Sequence, residues 1–92
     1  MRNYENNLLR IKEKSIEIEE MKLTYSLFRS LRKSSGRFVY SLSVKLLSSG
    51  TSESSFVYDI TRTRSRADEL FTIICEGTVT PCTLSDILED IL

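Results

Sequence analysis

The chain contains no histidine and no tryptophan, and only one proline, two cysteines and three glycines among its 92 residues. The missing histidine excludes Ser-His-Asp and Cys-His catalysis, histidine ligation of metals, and the side chain that most often acts as a general base near neutral pH. The three glycines are scattered and form no phosphate-binding loop. We therefore predict that the protein is not an enzyme, with no catalytic residue, no cofactor, no metal and no small-molecule site.

The two cysteines, Cys75 and Cys82, are too few for the disulfide framework of a small secreted domain, and they lack the further closely spaced ligands of a zinc site. No apolar run approaches the length of about 18 residues that a membrane span requires. Residues 1–10 also lack the apolar stretch of a signal peptide. We expect a cytoplasmic protein with reduced thiols and no membrane association.

The composition is that of a globular chain, with 40% apolar and 28% charged residues. The net charge is zero, but residues 1–46 carry ten Lys and Arg against five Asp and Glu, whereas residues 47–92 carry three against eight. This asymmetry indicates either a basic binding face or opposite charges that hold the two halves together, and we favour the second. We predict a single domain over residues 1–92.

Three or four strands are predicted between about residues 8 and 60. The clearest covers 38–46, where apolar residues alternate with small or polar ones, and residues 23–28 alternate in the same way. A basic, glycine-bearing hairpin loop at 32–37 joins the two. Residues 48–55 contain no apolar side chain and predict a mobile exposed loop, after which 56–60 form a last short strand. Residues 4–22 fit both a helical stripe and strand alternation, and 15–19 favour the strand.

The hydrophobic period then becomes helical and predicts helices at about 65–76 and 83–92. Ser65 and Asp68 have the spacing of a capping box, Gly77 suits the end of the first helix, and Pro81, Thr83 and Asp86 suit the start of the second. Strands followed by helices predict an α+β fold, in which a small antiparallel meander sheet is covered on one face by two C-terminal helices. The apolar stripes comprise Ala67, Leu70, Phe71, Ile74 and Cys75, then Leu84, Ile87, Leu88, Ile91 and Leu92.

Few single residues invite a chemical role. Cys75 lies on an apolar helical stripe and is expected in the core. Cys82 precedes a helix, where the macrodipole favours a thiolate, but we favour a turn residue that packs against the helix pair, and any further role stays open. Asp59, at a strand end, is expected to cap the backbone amides of the following segment.

Two basic clusters are the candidate interaction residues. With Phe28 and Phe38 beside them they could grip phosphates and stack bases, but the zero net charge and the acidic last helix disfavour nucleic acid. We predict a non-enzymatic protein–protein interaction or regulatory module, acting through a protein partner or by self-association; the alternative is a nucleic-acid-associated regulator. The clusters are Arg29, Arg32, Lys33 and Arg37 in the hairpin, and Arg62, Arg64 and Arg66 before the first helix.

The C-terminal half resembles a known family. Tyr58-Asp59-Ile60-Thr61 and the run from Val79 through Pro81, Leu84 and Asp86 to Leu92 are similar to short proteins of unknown function from clostridia and related Firmicutes, and with Tyr25 and Tyr40-Ser41-Leu42 the resemblance covers roughly residues 16–92. The sequence departs from that family at Ser41, where glycine is frequent, and at Thr83, where histidine is frequent. The resemblance implies a strand pair followed by helices and transfers no active site.

Overall fold

The computed structural model describes residues 8–92 and shows a four-stranded antiparallel sheet followed by two helices. The strands are β1 (Leu9–Ile18), β2 (Met21–Arg32), β3 (Arg37–Ser48) and β4 (Thr51–Thr61), and they pair in the order β1-β2-β3-β4. The helices are α1 (Arg64–Glu76) and α2 (Leu84–Ile91), with a short 3₁₀ helix at Pro81–Thr83 leading into α2. The predicted α+β class, meander sheet and C-terminal helix pair are confirmed.

One face of the sheet and the inner faces of both helices share one core. On the two central strands the opposed pairs Leu23–Leu46, Tyr25–Val44 and Leu27–Leu42 lie on this face. The hydroxyl of Tyr25 donates a hydrogen bond of 2.9 Å to the carbonyl oxygen of Val79, so the connection between the helices is fastened to the centre of the sheet. The helical members of the core are Ala67, Leu70, Phe71, Ile74, Cys75, Leu84 and Leu88.

The prediction of a mobile loop at residues 48–55 is wrong. β3 continues to Ser48, a two-residue turn at Ser49 and Gly50 follows, and β4 begins at Thr51. Both turn residues have positive φ, 23° and 81°, which matches the twist that a two-residue hairpin requires. The segment forms a strand without apolar residues because its main chain pairs with β3 in unbroken register from Leu42–Val57 to Ser48–Thr51. The predicted hairpin loop at 32–37 is confirmed.

The ambiguous N-terminal segment is a strand where the structure describes it. β1 pairs with β2 from Leu9–Arg29 to Ile18–Met21, with a bulge between Arg10 and Lys12. Residues 4–7 of that ambiguous stretch lie outside the described residues.

The helices lie where the sequence predicts them, but different residues cap their ends. Thr63, and not Ser65, is the N-cap of α1, and no side chain caps it. The helix stops beside Gly77, where an added Cβ would lie 3.1 Å from the carbonyl oxygen of Ile73, yet the left-handed residue that turns the chain is Thr78, with φ of 51°. At the second helix the capping box joins Thr80 and Thr83, which satisfies amides at the start of the 3₁₀ helix.

Two ion pairs connect the basic and acidic halves of the chain. Lys12 on β1 lies 3.1 Å from Asp68 on α1, and Arg32 on β2 lies 2.6 Å from Asp59 on β4. Each pair joins elements far apart in sequence, as expected if the opposite charges of the halves act within the fold.

Candidate interaction surface

The register of the sheet brings both predicted basic clusters to one end of the molecule. Across the four strands, Leu9 pairs with Arg29, Arg29 with Tyr40, and Tyr40 with Thr61. The 32–37 hairpin and the connection from β4 to α1 therefore lie at the same end of the sheet, which we call the hairpin end. All seven predicted residues lie at this end or in the first turn of α1.

At the hairpin end the helix-bearing face of the sheet continues beyond the core as an exposed apolar surface. Tyr40 is the last buried residue on this face of β3, at 6% exposure, whereas Phe38 is 44% exposed and its cross-strand neighbour Leu31 is 38% exposed. The guanidinium of Arg29 stacks on Phe38, with 4.4 Å between its central carbon and the ring centre. Leu9, opposite Arg29, is 52% exposed. We call Leu9, Arg29, Leu31 and Phe38 the hairpin surface.

Arg32 turns away from this surface and is engaged in the fold. Its guanidinium donates to the carboxylate of Asp59 at 2.6 Å, while its Nε is buried and makes no hydrogen bond within residues 8–92. Asp59 has positive φ, 59°, at the irregularity that ends the regular β3–β4 register, and its amide donates to the Ser41 hydroxyl at 3.1 Å. The expected capping role of Asp59 is therefore wrong, because its carboxylate binds Arg32 on β2, across the intervening strand β3.

Arg64 and Arg66 are also paired. Arg64 donates a hydrogen bond of 3.1 Å to Asp68, and Asp68 also forms an ion pair with Lys12 on β1. The hydrogen bond from Lys12, helped by that from Arg64, holds the pKa of Asp68 below its usual value. Arg66 contacts Glu69 at 2.7 Å. These arginines fix α1 to itself and, through Asp68, to the sheet.

The remaining four basic residues keep their charge available. Lys33, Arg37 and Arg62 are exposed, and within residues 8–92 neither they nor Arg29 forms an ion pair with a carboxylate. The structure thus separates the predicted clusters into three arginines with carboxylate partners in the fold and four cations without one among residues 8–92, all at the end of the sheet that carries the hairpin surface.

The apolar members Leu9 and Leu31 were missed in the sequence. Leu31 continues the alternation of its strand, so its pattern is that of a core residue. Only the place where the helices stop covering the sheet distinguishes it from Leu27, and that place depends on the path of α1. The ion pair of Arg32 with Asp59, 27 residues away, was likewise invisible before the fold placed its partner, whereas Arg64 and Asp68 have the i,i+4 spacing that indicates an ion pair on a helix.

A protein family described as a family of unknown function, DUF6514, has a model that matches residues 5–92. The chain belongs to this family. No curated protein and no solved structure matches this chain. The function of this DUF6514 member therefore has to be argued from its own surface.

Other features of this DUF6514 member are weaker candidates for a functional site. Cys75 is buried, as predicted, and burial raises the pKa of its thiol, which opposes a nucleophilic role, while Cys82 is exposed. A cleft of about 420 Å³ separates β1 from α1, but its Lys12 is held by Asp68 and lies over the Phe71 ring. Over residues 8–92 there is no group of three or more His, Cys, Asp or Glu that could hold a metal, and no helix long and apolar enough to cross a membrane.

Proposed function

We propose that this protein is a small non-enzymatic protein–protein interaction module, and that its hairpin surface binds a protein segment in which apolar side chains are flanked by Asp or Glu. The observation that carries the proposal is the exposed stack of Arg29 on Phe38 beside Leu31. Arginine and aromatic side chains are over-represented among residues that dominate binding energy, and such residues typically lie at the centre of an interface.

The charges around the surface select the partner's chemistry. Lys33, Arg37 and Arg62 are exposed at the same end of the sheet as the hairpin surface, so an approaching segment meets apolar side chains at an end of the molecule that carries exposed positive charge. Acidic residues in the partner would raise the association rate and fix its orientation. An Arg29 guanidinium already stacked on a ring is held in place, which lowers the entropy that binding costs.

The experiment is site-specific photo-crosslinking in cells of the source organism. A photoreactive phenylalanine analogue replaces Phe38, and a matched variant carries it at Leu47, which is 57% exposed at the opposite end of the sheet. We expect cross-links at 38, and not at 47, to peptides that combine apolar with acidic residues, and we expect them to disappear on Arg29→Glu. Cross-links that survive Arg29→Glu, or that occur equally at 47, would exclude the proposed surface.

A second candidate function is nucleic-acid-associated regulation, favoured by the gathering of both basic clusters at the hairpin end. Three of the seven cations are neutralised by Asp59, Asp68 and Glu69, which leaves little charge for phosphates. This alternative predicts binding of a labelled single-stranded oligonucleotide that weakens steeply with salt and is lost on Arg37→Ala with Arg62→Ala. Anisotropy that stays unchanged on adding the protein at low salt would exclude it.

We further propose that the protein works in the cytoplasm of a clostridium or related Firmicute. Two free cysteines, one of them exposed, support a reducing compartment such as the cytoplasm. The resemblance of residues 16–92 supports an origin in these bacteria. Immunoblotting of fractionated cells tests the location, and recovery in the extracellular medium would contradict it.

A further inference from the structure

The two edges of the sheet differ in how they are protected against strand addition. On β1, charged residues occupy most positions from Arg10 to Glu17, and a bulge interrupts the edge between Arg10 and Lys12. Lysine, charge and bulges are the features by which natural sheets block edge-to-edge pairing. On β4, residues 51–57 carry one charge, Glu53, with no proline, lysine or bulge. The β4 edge therefore lacks the protection that the β1 edge has.

The geometry of the β3–β4 hairpin fixes which main-chain groups of β4 point outward. In a two-residue hairpin the residues that flank the turn, here Ser48 and Thr51, form a hydrogen-bonded pair, and such pairs then alternate along the ladder. Thr51, Glu53 and Ser55 thus direct their N–H and C=O groups to β3. Ser52 and Ser54 direct theirs away from the sheet, where within residues 8–92 no further strand lies.

We propose that a second copy of this chain pairs with the β4 edge, antiparallel and about a two-fold axis at Ser54, to make a continuous eight-stranded sheet. Residues 51–57 are the whole regular stretch of β4, and Ser54 is its midpoint, so this register pairs the segment with itself over its full length. Ser54 then exchanges both main-chain hydrogen bonds with Ser54 of the second copy, as its outward orientation requires.

The side chains in this register are compatible. Glu53 faces Ser55 of the second copy, so the one charge of the segment meets a neutral residue, whereas an axis at Glu53 would oppose two carboxylates. Phe56 faces Ser52 of the second copy. No apolar side chain in this segment is forced against a charged one.

Charge over the whole molecule also favours an antiparallel copy. The end of the sheet opposite the hairpin end carries Glu17, Glu19, Glu20 and Glu53 against Lys22 and Lys45. An antiparallel pair directs the acidic end of each copy towards the same end of the continuous sheet as the basic hairpin end of the other. A second copy therefore offers both the strand and the complementary charge, which selects it over an unrelated extended peptide.

The test is sedimentation equilibrium of the purified chain and of three variants. We expect twice the monomer mass for the wild type. Ser54→Pro removes the central outward N–H without removing a hydrogen bond to β3, and is expected to be monomeric. Ser54→Ala keeps that N–H and is expected to remain a dimer. Ser15→Pro makes the same change at an outward-facing position of the β1 edge, opposite Thr24, and is expected to remain a dimer.

Far-ultraviolet circular dichroism accompanies each variant to show that the sheet is retained. Register is tested by Ser54→Cys in a Cys82→Ser background, because a hydrogen-bonded pair places the two Cα atoms about 5.5 Å apart, within reach of a disulfide. Oxidation should then give a covalent dimer with Ser54→Cys and none with Ser15→Cys. A wild type that stays monomeric at high concentration would overturn the proposal, as would a folded Ser54→Pro variant that still dimerises.

Discussion

The hydrogen bond from Tyr25 to Val79 gives the sharpest test of how this fold is held together. Tyr25 is fully buried at the centre of the sheet, and its hydroxyl donates the hydrogen bond that the Val79 carbonyl oxygen accepts. Val79 is also buried, with 7% of its surface exposed. Replacing Tyr25 by phenylalanine keeps the ring and leaves that carbonyl unsatisfied. An unsatisfied buried polar group costs about 1–3 kcal/mol. In a domain of this size each kcal/mol lowers Tm by about 4–8 °C.

The same substitution has a signature in the pH dependence of stability. Burial, with a smaller contribution from the neighbouring Cys75, raises the pKa of Tyr25 from 10.0 to about 12. The folded state therefore holds the phenolic proton more tightly than the unfolded state, so this contribution to stability is complete below pH 10 and is lost as pH rises from 10 towards 12. A difference of two units corresponds to about 2–3 kcal/mol.

Urea unfolding at neutral pH and at several alkaline pH values measures both effects. Tyr25→Phe should be less stable than the wild type near pH 7 and should lose less stability on alkalinisation. Tyr40→Phe is the matched control for the hydrogen bond, because Tyr40 is also in the core but its hydroxyl makes no hydrogen bond within residues 8–92, and this variant should be as stable as the wild type near pH 7. Equal stability of Tyr25→Phe and the wild type at every pH would refute the reasoning.

Three further predictions concern the contacts that join the halves of the chain. Arg32→Ala should lower the free energy of unfolding by about 1 kcal/mol or more, and should cost little in an Asp59→Asn background, which a double-mutant cycle by urea unfolding measures. Ile74→Ala should cost about 2–5 kcal/mol by the same assay, because its fully buried side chain lies in the core between α1 and the sheet. Because the pKa of Asp68 is lowered, its contribution is present above pH 3.8 and is lost as pH falls further, so Asp68→Asn should be less stable than the wild type at neutral pH and converge with it in acid.

The sequence predicts those elements whose side chains are sorted by the core. β3 was predictable because its residues alternate between a helix-covered face and the opposite face, and both helices were predictable from their buried stripes. β1 was ambiguous because the bulge at Ile11 shifts the phase of alternation, so Ile11 and Ile16 both pack against the core although they are five residues apart. An odd spacing cannot lie on one face of a regular strand.

The first half of β4 was missed for a different reason. Residues 51–54 are exposed, so neither face of the strand selects apolar side chains and no alternation exists to be read. Two positive φ values in the Ser49–Gly50 turn and the regular pairing with β3 make it a strand. Turn conformation and main-chain pairing are properties of the backbone, and the composition of residues 51–54 gives little indication of either.

Departures from the resembled family acquire a structural account at two positions. Ser41, where the resemblance implies a frequent glycine, accepts a hydrogen bond from the amide of Asp59 and is fully buried beside the Arg32–Asp59 pair. Thr83, where the resemblance implies a frequent histidine, accepts a hydrogen bond of 3.3 Å from the amide of Thr80 with its hydroxyl. Both side chains satisfy backbone groups at irregular places, Ser41 where the regular β3–β4 register ends and Thr83 at the start of the 3₁₀ helix.

The strand pairing and the hairpin surface use different residues, so the two proposed interactions can operate together. Pairing at Ser54 joins the β4 edges and leaves Leu31 and Phe38, at the β2–β3 hairpin, outside the segment that pairs. Because the copies are antiparallel, their hairpin surfaces lie towards opposite ends of the eight-stranded sheet. Such a dimer presents two equivalent binding surfaces, so a partner with two acidic and apolar segments would be held with avidity, while each surface alone binds no more tightly than in the monomer. Ser54→Pro separates these contributions, since it removes the pairing and leaves the residues of the hairpin surface unchanged.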